Sequence, residues 1–140
     1  MKTTLLIPIY NDRESLKKLI ENINNEAKDL NSEISIVVIN DASSQQVIDT
    51  YPDIENISSF EIINMKENRG HARCIAAGLK YIFEKKEFDF VIPMDGDGED
   101  RPEEIKNFIQ IAKQSGEKSI VGERIKRSEG LFFQFCYLFH

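Results

Sequence analysis

Phe88-Asp89-Phe90-Val91-Ile92-Pro93-Met94-Asp95-Gly96-Asp97-Gly98-Glu99-Asp100 passes from an apolar run into a cluster of carboxylates. Phe88 to Met94 predicts a β-strand, and the acidic residues begin where it ends. Asp95 and Asp97 are two residues apart, so an extended backbone would send both carboxylates to one side. Gly96 and Gly98 are expected to leave room for a ligand beside them. Carboxylate oxygens and water are the donors that Mg²⁺ and Mn²⁺ prefer, and an ion held by one or two protein carboxylates keeps positions open for phosphate oxygens. Two plainer readings compete. Asp100 and Glu103 would favour the positive end of a helix opening near Pro102, which gives Asp100 mainly a capping role. A calcium loop of the EF-hand kind fails: with Asp95 as its first position, Asp100 falls where Gly is required and Lys106 where the bidentate Glu belongs.

Upstream, strands and helices alternate. Thr3 to Tyr10 is an apolar, β-rich run closed by Pro8 and the turn and capping residues Asn11-Asp12. Leu16, Leu19, Ile20, Ile23 and Ala27 then recur at helical spacing. Ile34 to Ile39 predicts a second strand, ended by Asn40-Asp41-Ala42-Ser43-Ser44, and Gln45 to Tyr51 a short helix. Phe60 to Met65 predicts a third strand, and Ala72 to Phe83 a helix burying Ile75, Ala76, Leu79, Ile82 and Phe83. Downstream of the acidic cluster, Pro102 opens a helix through Ile105, Phe108, Ile109 and Ala112, and Ser119 to Gly122 reads as a fifth strand. This order implies an α/β fold with a mainly parallel sheet, helices on both faces, and ligands at the carboxyl ends of the strands.

A chain of 140 residues is the size of one compact domain. Its net charge of −6 offers no broad basic surface for nucleic acid. Its longest apolar stretches fall short of the roughly 20 residues that span a bilayer. The amino terminus lacks the pattern of a secretory signal, so a cytoplasmic protein is expected. Cys74 and Cys136 match no metal-ligand spacing and predict reduced, structural thiols. From Gly130 to His140 the chain gathers Phe132, Phe133, Phe135, Tyr137 and Phe139. Such an aromatic segment needs a partner surface, and would favour self-association into a homo-oligomer or the start of a structure continuing in a longer chain.

Six segments in order resemble the family 2 glycosyltransferases of the GT-A fold, in particular the branch that moves sugars onto polyprenyl phosphates such as dolichol phosphate. They are Ile7-Pro8-Ile9-Tyr10-Asn11, Val38-Ile39-Asn40-Asp41-Ala42-Ser43, Asn68-Arg69-Gly70-His71, Met94 to Asp100, Pro102-Glu103, and Gly122-Glu123-Arg124. The resemblance covers essentially the whole chain and implies a Rossmann-like donor-binding part of a longer enzyme. It implies that Pro8 and Tyr10 contact the base of a UDP- or GDP-sugar, with Asn11 and Asp12 shaping that pocket. Asp41 matches the second Asp of an Asp-Asp-Gly-Ser motif whose carboxylate accepts from the base. Asn40 and Ala42 depart from that motif, so the loop must take another path or tolerate strain at Ala42.

Asn68-Arg69-Gly70 precedes a helix whose free N–H groups can meet an anion, and Arg69 or His71 would add positive charge there. The Gly70-His71 pair is similar to the polyprenyl-phosphate branch. In that family Asp97 would hold Mg²⁺ or Mn²⁺ with Glu99 as a further ligand, Asp95 would orient the donor, and Arg124 and His71 would meet an acceptor or donor phosphate. The implied reaction is a metal-assisted inverting displacement from a nucleotide-sugar to a polyprenyl phosphate or a cell-envelope glycan. Lys126 and Arg127 extend the basic patch around Arg124, which suits a lipid phosphate or the inner face of an anionic membrane. Two rivals stand beside this: a nucleotide-sugar-binding module without turnover, and a receiver-like signalling domain, whose acidic pattern Tyr10-Asn11 and Asp95-Gly96-Asp97 do not fit.

Overall fold

The computed structural model describes residues 1–45, 54–115 and 120. Within them the chain runs β1 (Lys2–Ile9), α1 (Arg13–Ala27), β2 (Glu33–Asn40), β3 (Ser59–Asn64), α2 (His71–Lys85), β4 (Phe90–Pro93), a 3-10 turn (Pro102–Glu104) and α3 (Ile105–Ser115). The short helix expected over Gln45 to Tyr51, the fifth strand, Gly122-Glu123-Arg124 with Lys126 and Arg127, and the aromatic segment with Cys136 lie wholly or largely outside the described residues.

Among the described residues all strand pairs are parallel and the sheet order is β3-β2-β1-β4. β1 is central, which is why Thr3 to Ile9 reads as a continuous apolar run and is buried throughout. Its side chains alternate between two cores. Leu5, Ile7 and Ile9 pack with Leu16, Ile20 and Ile23 of α1 and with Ile105 and Ile109 of α3. Leu6 faces the other way, with Val37 and Ile39 of β2 and Cys74 and Ile82 of α2. Helices therefore cover both faces, as the alternation of elements implies. Each fully buried Leu or Ile contributes about 1.5–3 kcal/mol relative to exposure.

The buried face of α2 differs from the expected one. Cys74, Gly78 and Ile82 are buried, Ile75 is half-buried, and Leu79 and Phe83 are exposed, Phe83 by 79%. Gly78 explains the rotation: a Cβ there would stand 2.3 Å from Leu6 Cδ1 and 3.0 Å from Ile39 Cγ1. The helix comes so close to the sheet that its smallest residue marks the contact line, and Leu79 and Phe83 turn outward.

β4 is shorter than the run Phe88 to Met94. Among the described residues it pairs with β1 alone, over Thr3–Leu6, and Pro93 at its end has no N–H to donate. Strand order reverses between β1 and β4, because β2 and β3 lie to one side of β1 and β4 to the other. In open parallel sheets the crevice outside such a reversal is where ligands bind.

Candidate functional site

The chain leaving β1 and the chain leaving β4 form the two lips of one cleft of ≈ 340 Å³, lined by Pro8, Ile9, Tyr10, Asp12, His71, Asp95, Gly96 and Asp97. Residues 8–12 come from one lip and 95–97 from the other, with His71 from the first turn of α2.

On the first lip, Tyr10 is 53% exposed, so its ring offers a free face at the mouth. Asp12 caps α1, its Oδ1 accepting the Ser15 N–H at 3.2 Å, and also faces the cleft. Asn11 does not line it. With φ +52, it turns its Oδ1 to accept from Ser44 N at 2.8 Å and Gln45 N at 3.3 Å, while its own N–H donates to Ser43 Oγ at 2.9 Å. Asn11 thus stitches the loop after β1 to the loop after β2.

The second lip is built differently from the expectation. β4 ends at Pro93, so Asp95 and Asp97 reach the cleft from a turn and not from alternate positions on a strand. Asp100 shapes that turn: its Oδ2 accepts the Asp95 N–H at 2.7 Å, and Asp97 Oδ1 accepts the Glu99 N–H at 2.9 Å. The N-cap position of the following 3-10 turn falls on Arg101, so Asp100 closes the acidic loop instead of serving mainly as the helix cap. Gly96 also differs from the expectation. A Cβ there would stand 2.8 Å from the Pro8 carbonyl oxygen, so its missing side chain lets the two lips approach each other and does not make space for a ligand. Gly98 is needed for its φ of +84°.

A divalent cation fits this donor set in one specific sense. Among the described residues no three His, Cys, Asp or Glu side chains are grouped to hold an ion, so these residues by themselves make no complete cage. Asp97 is exposed in the cleft with Asp95 beside it, which suits an ion completed by substrate phosphate. Glu99 does not line the cleft and does not join the two aspartates in a three-carboxylate group.

His71 Nε2 lies 3.4 Å from Asp95 Oδ1, and both side chains are partly exposed. Of the segment Asn68-Arg69-Gly70-His71, only His71 lines the cleft. The Arg69 guanidinium is paired with Glu67. Asp41, expected to meet the base, is 4% exposed, with Oδ1 accepting from Arg69 N at 2.7 Å and Oδ2 from Gly70 N at 2.8 Å. Burial raises its pKa, but these two N–H groups and the Cys74 thiol together hold it below the ordinary value. The same burial, with Asp41 alongside, pushes the Cys74 thiol up to about 11, so this cysteine is an inert structural thiol. Ile9 is a cleft residue to which its sequence context gives no role of its own.

Residues 4–135 match the family model described as Glycosyl transferase family 2. The chain is 29% identical over 135 residues to the undecaprenyl-phosphate 4-deoxy-4-formamido-L-arabinose transferase of Proteus mirabilis, covering 95% of this chain and 40% of that relative. It spans about two-fifths of the length of the curated relatives it matches. Among solved structures, TarS 1-349 of S. aureus in complex with UDP-GlcNAc has a TM-score of 0.64 at 20% identity, over 91% of this chain and 38% of that one. The mannosyltransferase PcManGT from Pyrobaculum calidifontis, in complex with GDP-Man and Mn²⁺, has a TM-score of 0.50 at 20% identity, over 68% and 27%. These two likenesses are likenesses of fold.

Proposed function

Since the chain belongs to glycosyl transferase family 2, we propose that its cleft binds a nucleotide-diphosphate-sugar and that the enzyme moves the sugar onto a polyprenyl phosphate or a related cell-envelope glycan. The observation that carries this reading is the convergence of Tyr10, Asp95 and Asp97 at the point where the strand order reverses. The name of the Proteus mirabilis relative supports a polyprenyl phosphate as acceptor.

In this reading Pro8 and the exposed face of Tyr10 hold the base, and Asp12 borders the ribose. Asp95 orients the donor, and His71 beside it meets a phosphate of donor or acceptor. Asp97 holds Mg²⁺ or Mn²⁺. Such an ion, when bound, supplies positive charge against the diphosphate. The displacement is inverting: the acceptor oxygen attacks the anomeric carbon as the bond to the nucleoside diphosphate breaks. A phosphate monoester is ionised at neutral pH and attacks without a general base. Arg124, with Lys126 and Arg127, belongs to the acceptor side of this proposal, and contact with a membrane surface would follow from the lipid acceptor.

Calorimetry with Mn²⁺ and either UDP or GDP tests the donor site. Asp97→Ala should abolish the metal-dependent part of binding while leaving the fold intact by circular dichroism. Unchanged Mn²⁺-dependent affinity in that variant would sink the reading. Sugar transfer or donor hydrolysis by the same chain separates an enzyme from a donor-binding module without turnover.

A further inference from the structure

The two faces of the sheet are covered unequally. Leu5, Ile7 and Ile9 lie beneath both α1 and α3, whereas among the described residues α2 is the one helix over Leu6, Val37 and Ile39. Tyr81 fixes how α2 is turned: its hydroxyl donates to Glu61 of β3, so that flank of the helix looks toward β3. Leu79 stands about 160° around the helix from Tyr81, and Ile75 and Phe83, one turn to either side of it, share its flank. That flank looks toward β4, at the other end of the strand order. On β4, Val91 and Pro93 are in register with Thr4 and Leu6 and point to the same face; Val91 is half-buried and Pro93 exposed. A shallow apolar trough therefore runs between α2 and β4, with Leu79 41% and Phe83 79% exposed along its wall. Contiguous exposed apolar surface of this kind marks an interaction site.

The chain itself carries a segment of matching chemistry. Residues 131–139 contain four Phe, two Leu, a Tyr and a Cys, with Gln134 as the one amide and no charged side chain. In a helix nine residues extend about 13 Å, and α2 from Ile75 to Phe83 runs about 12 Å. The connection is long enough. α3 ends at Ser115 on the opposite face, and residues 116–130 fully extended reach about 50 Å, against strands about 4.8 Å apart in a four-stranded sheet. A tethered segment meets the trough at an effective concentration on the order of millimolar, which favours it over a second copy of the chain. We propose that residues 131–139 of this same chain pack into the trough between α2 and β4 and complete the core on that face. The contact is independent of what the cleft binds.

Cross-linking of the full chain with a short bismaleimide tests it, because Cys136 lies within the segment and the buried Cys74 thiol, pushed up to about 11, does not compete. In Phe83→Cys, and separately in Leu79→Cys, the introduced thiol should join Cys136 within one chain, seen as a monomer whose digest contains the linked peptide pair. Adding Cys136→Ser to either variant should abolish the product. Lys17→Cys, exposed on α1 over the opposite face, should give roughly tenfold less of it, since only a held segment gains from proximity. A comparable yield at position 17 would mean a segment not held at the trough, and links found only between chains would seat a second copy there. Either result overturns the proposal, as does the absence of a link at both 79 and 83. Phe83→Ser gives a second measurement: it should lower the urea midpoint of the full chain, and an unchanged or higher midpoint would show the Phe83 ring left in water, against the proposal.

Discussion

Ala42 holds a backbone angle, φ +55, that an L-residue adopts at a cost of about 1–2 kcal/mol. The loop around it imposes the angle. Ala42 N donates to Asn40 O at 2.9 Å, Ser43 N to Asn40 Oδ1 at 3.1 Å, and Asn40 Nδ2 to Asn64 Oδ1 at 2.7 Å. Both departures from the Asp-Asp-Gly-Ser pattern are thereby explained: Asn40 uses an acceptor and a donor where Asp has only acceptors, and Ala42 stays in the glycine conformation under strain. Ala42→Gly should stabilise the chain by about 0.5–1 kcal/mol, the relief of strain being partly offset by the greater freedom of Gly in the unfolded state. Urea unfolding should show a higher midpoint with an unchanged slope, and an unchanged or lower midpoint would contradict the strain. The departure at Ala42 was legible from sequence as either another backbone path or strain, and its φ of +55 shows that the path is kept. The partners of Asp41 were not, since a carboxylate's use is decided by which N–H groups the fold brings to it.

α2 is fastened to the sheet at both ends, by Asp41 at its start and by Glu61 of β3 at its finish. Glu61 Oε1 accepts from Lys86 Nζ, and its Oε2 from Tyr81 OH at 2.8 Å. The hydrogen bond from Lys86 is the main cause holding the Glu61 carboxyl below its ordinary 4.5; burial opposes it, and the Tyr81 hydroxyl and the Lys86 charge assist. A carboxyl with a depressed folded pKa contributes stability that is present above the unfolded value and is lost as pH falls through the folded one. The window therefore opens near pH 4.5 and extends below it. Lys86→Met keeps the length of the side chain and removes the cation. The stability gap between wild type and this variant should be full at pH 6 and shrink steadily below pH 4.5. Denaturant titrations at several pH values measure it, and a gap that does not change with pH would refute the role given to this pair. The elements themselves were legible to different depths. β1 and β2 are long apolar runs because both their faces are covered. The face of α2 was misread because periodicity weighs Leu79 and Phe83 above Gly78, whereas close approach to Leu6 selects the residue without a side chain.

The alternation of strands and helices revealed a parallel sheet, but the order β3-β2-β1-β4 is what joins residues 8–12 to residues 95–97. No local pattern contains that order; the acidic spacing and the family resemblance indicated the two lips, and packing made them one cleft. Among the described residues no helix is long and apolar enough to cross a membrane. In the proposed reading, with no group of three ligating side chains among the described residues, Mn²⁺ alone should bind weakly, and a nucleoside diphosphate alone would lack the ion that Asp97 would hold. The two together should bind in mutual dependence. A ligand at 100 times its dissociation constant stabilises the native state by about 2.7 kcal/mol, which for a chain of this size raises Tm by roughly 5–10 °C. Thermal unfolding should therefore show a small shift with Mn²⁺, a small shift with UDP or GDP in EDTA, and a shift larger than their sum when both are present. The full shift with Mn²⁺ alone would mean a complete protein cage for the ion, and the full shift in EDTA would mean that Asp97 holds no metal against the diphosphate.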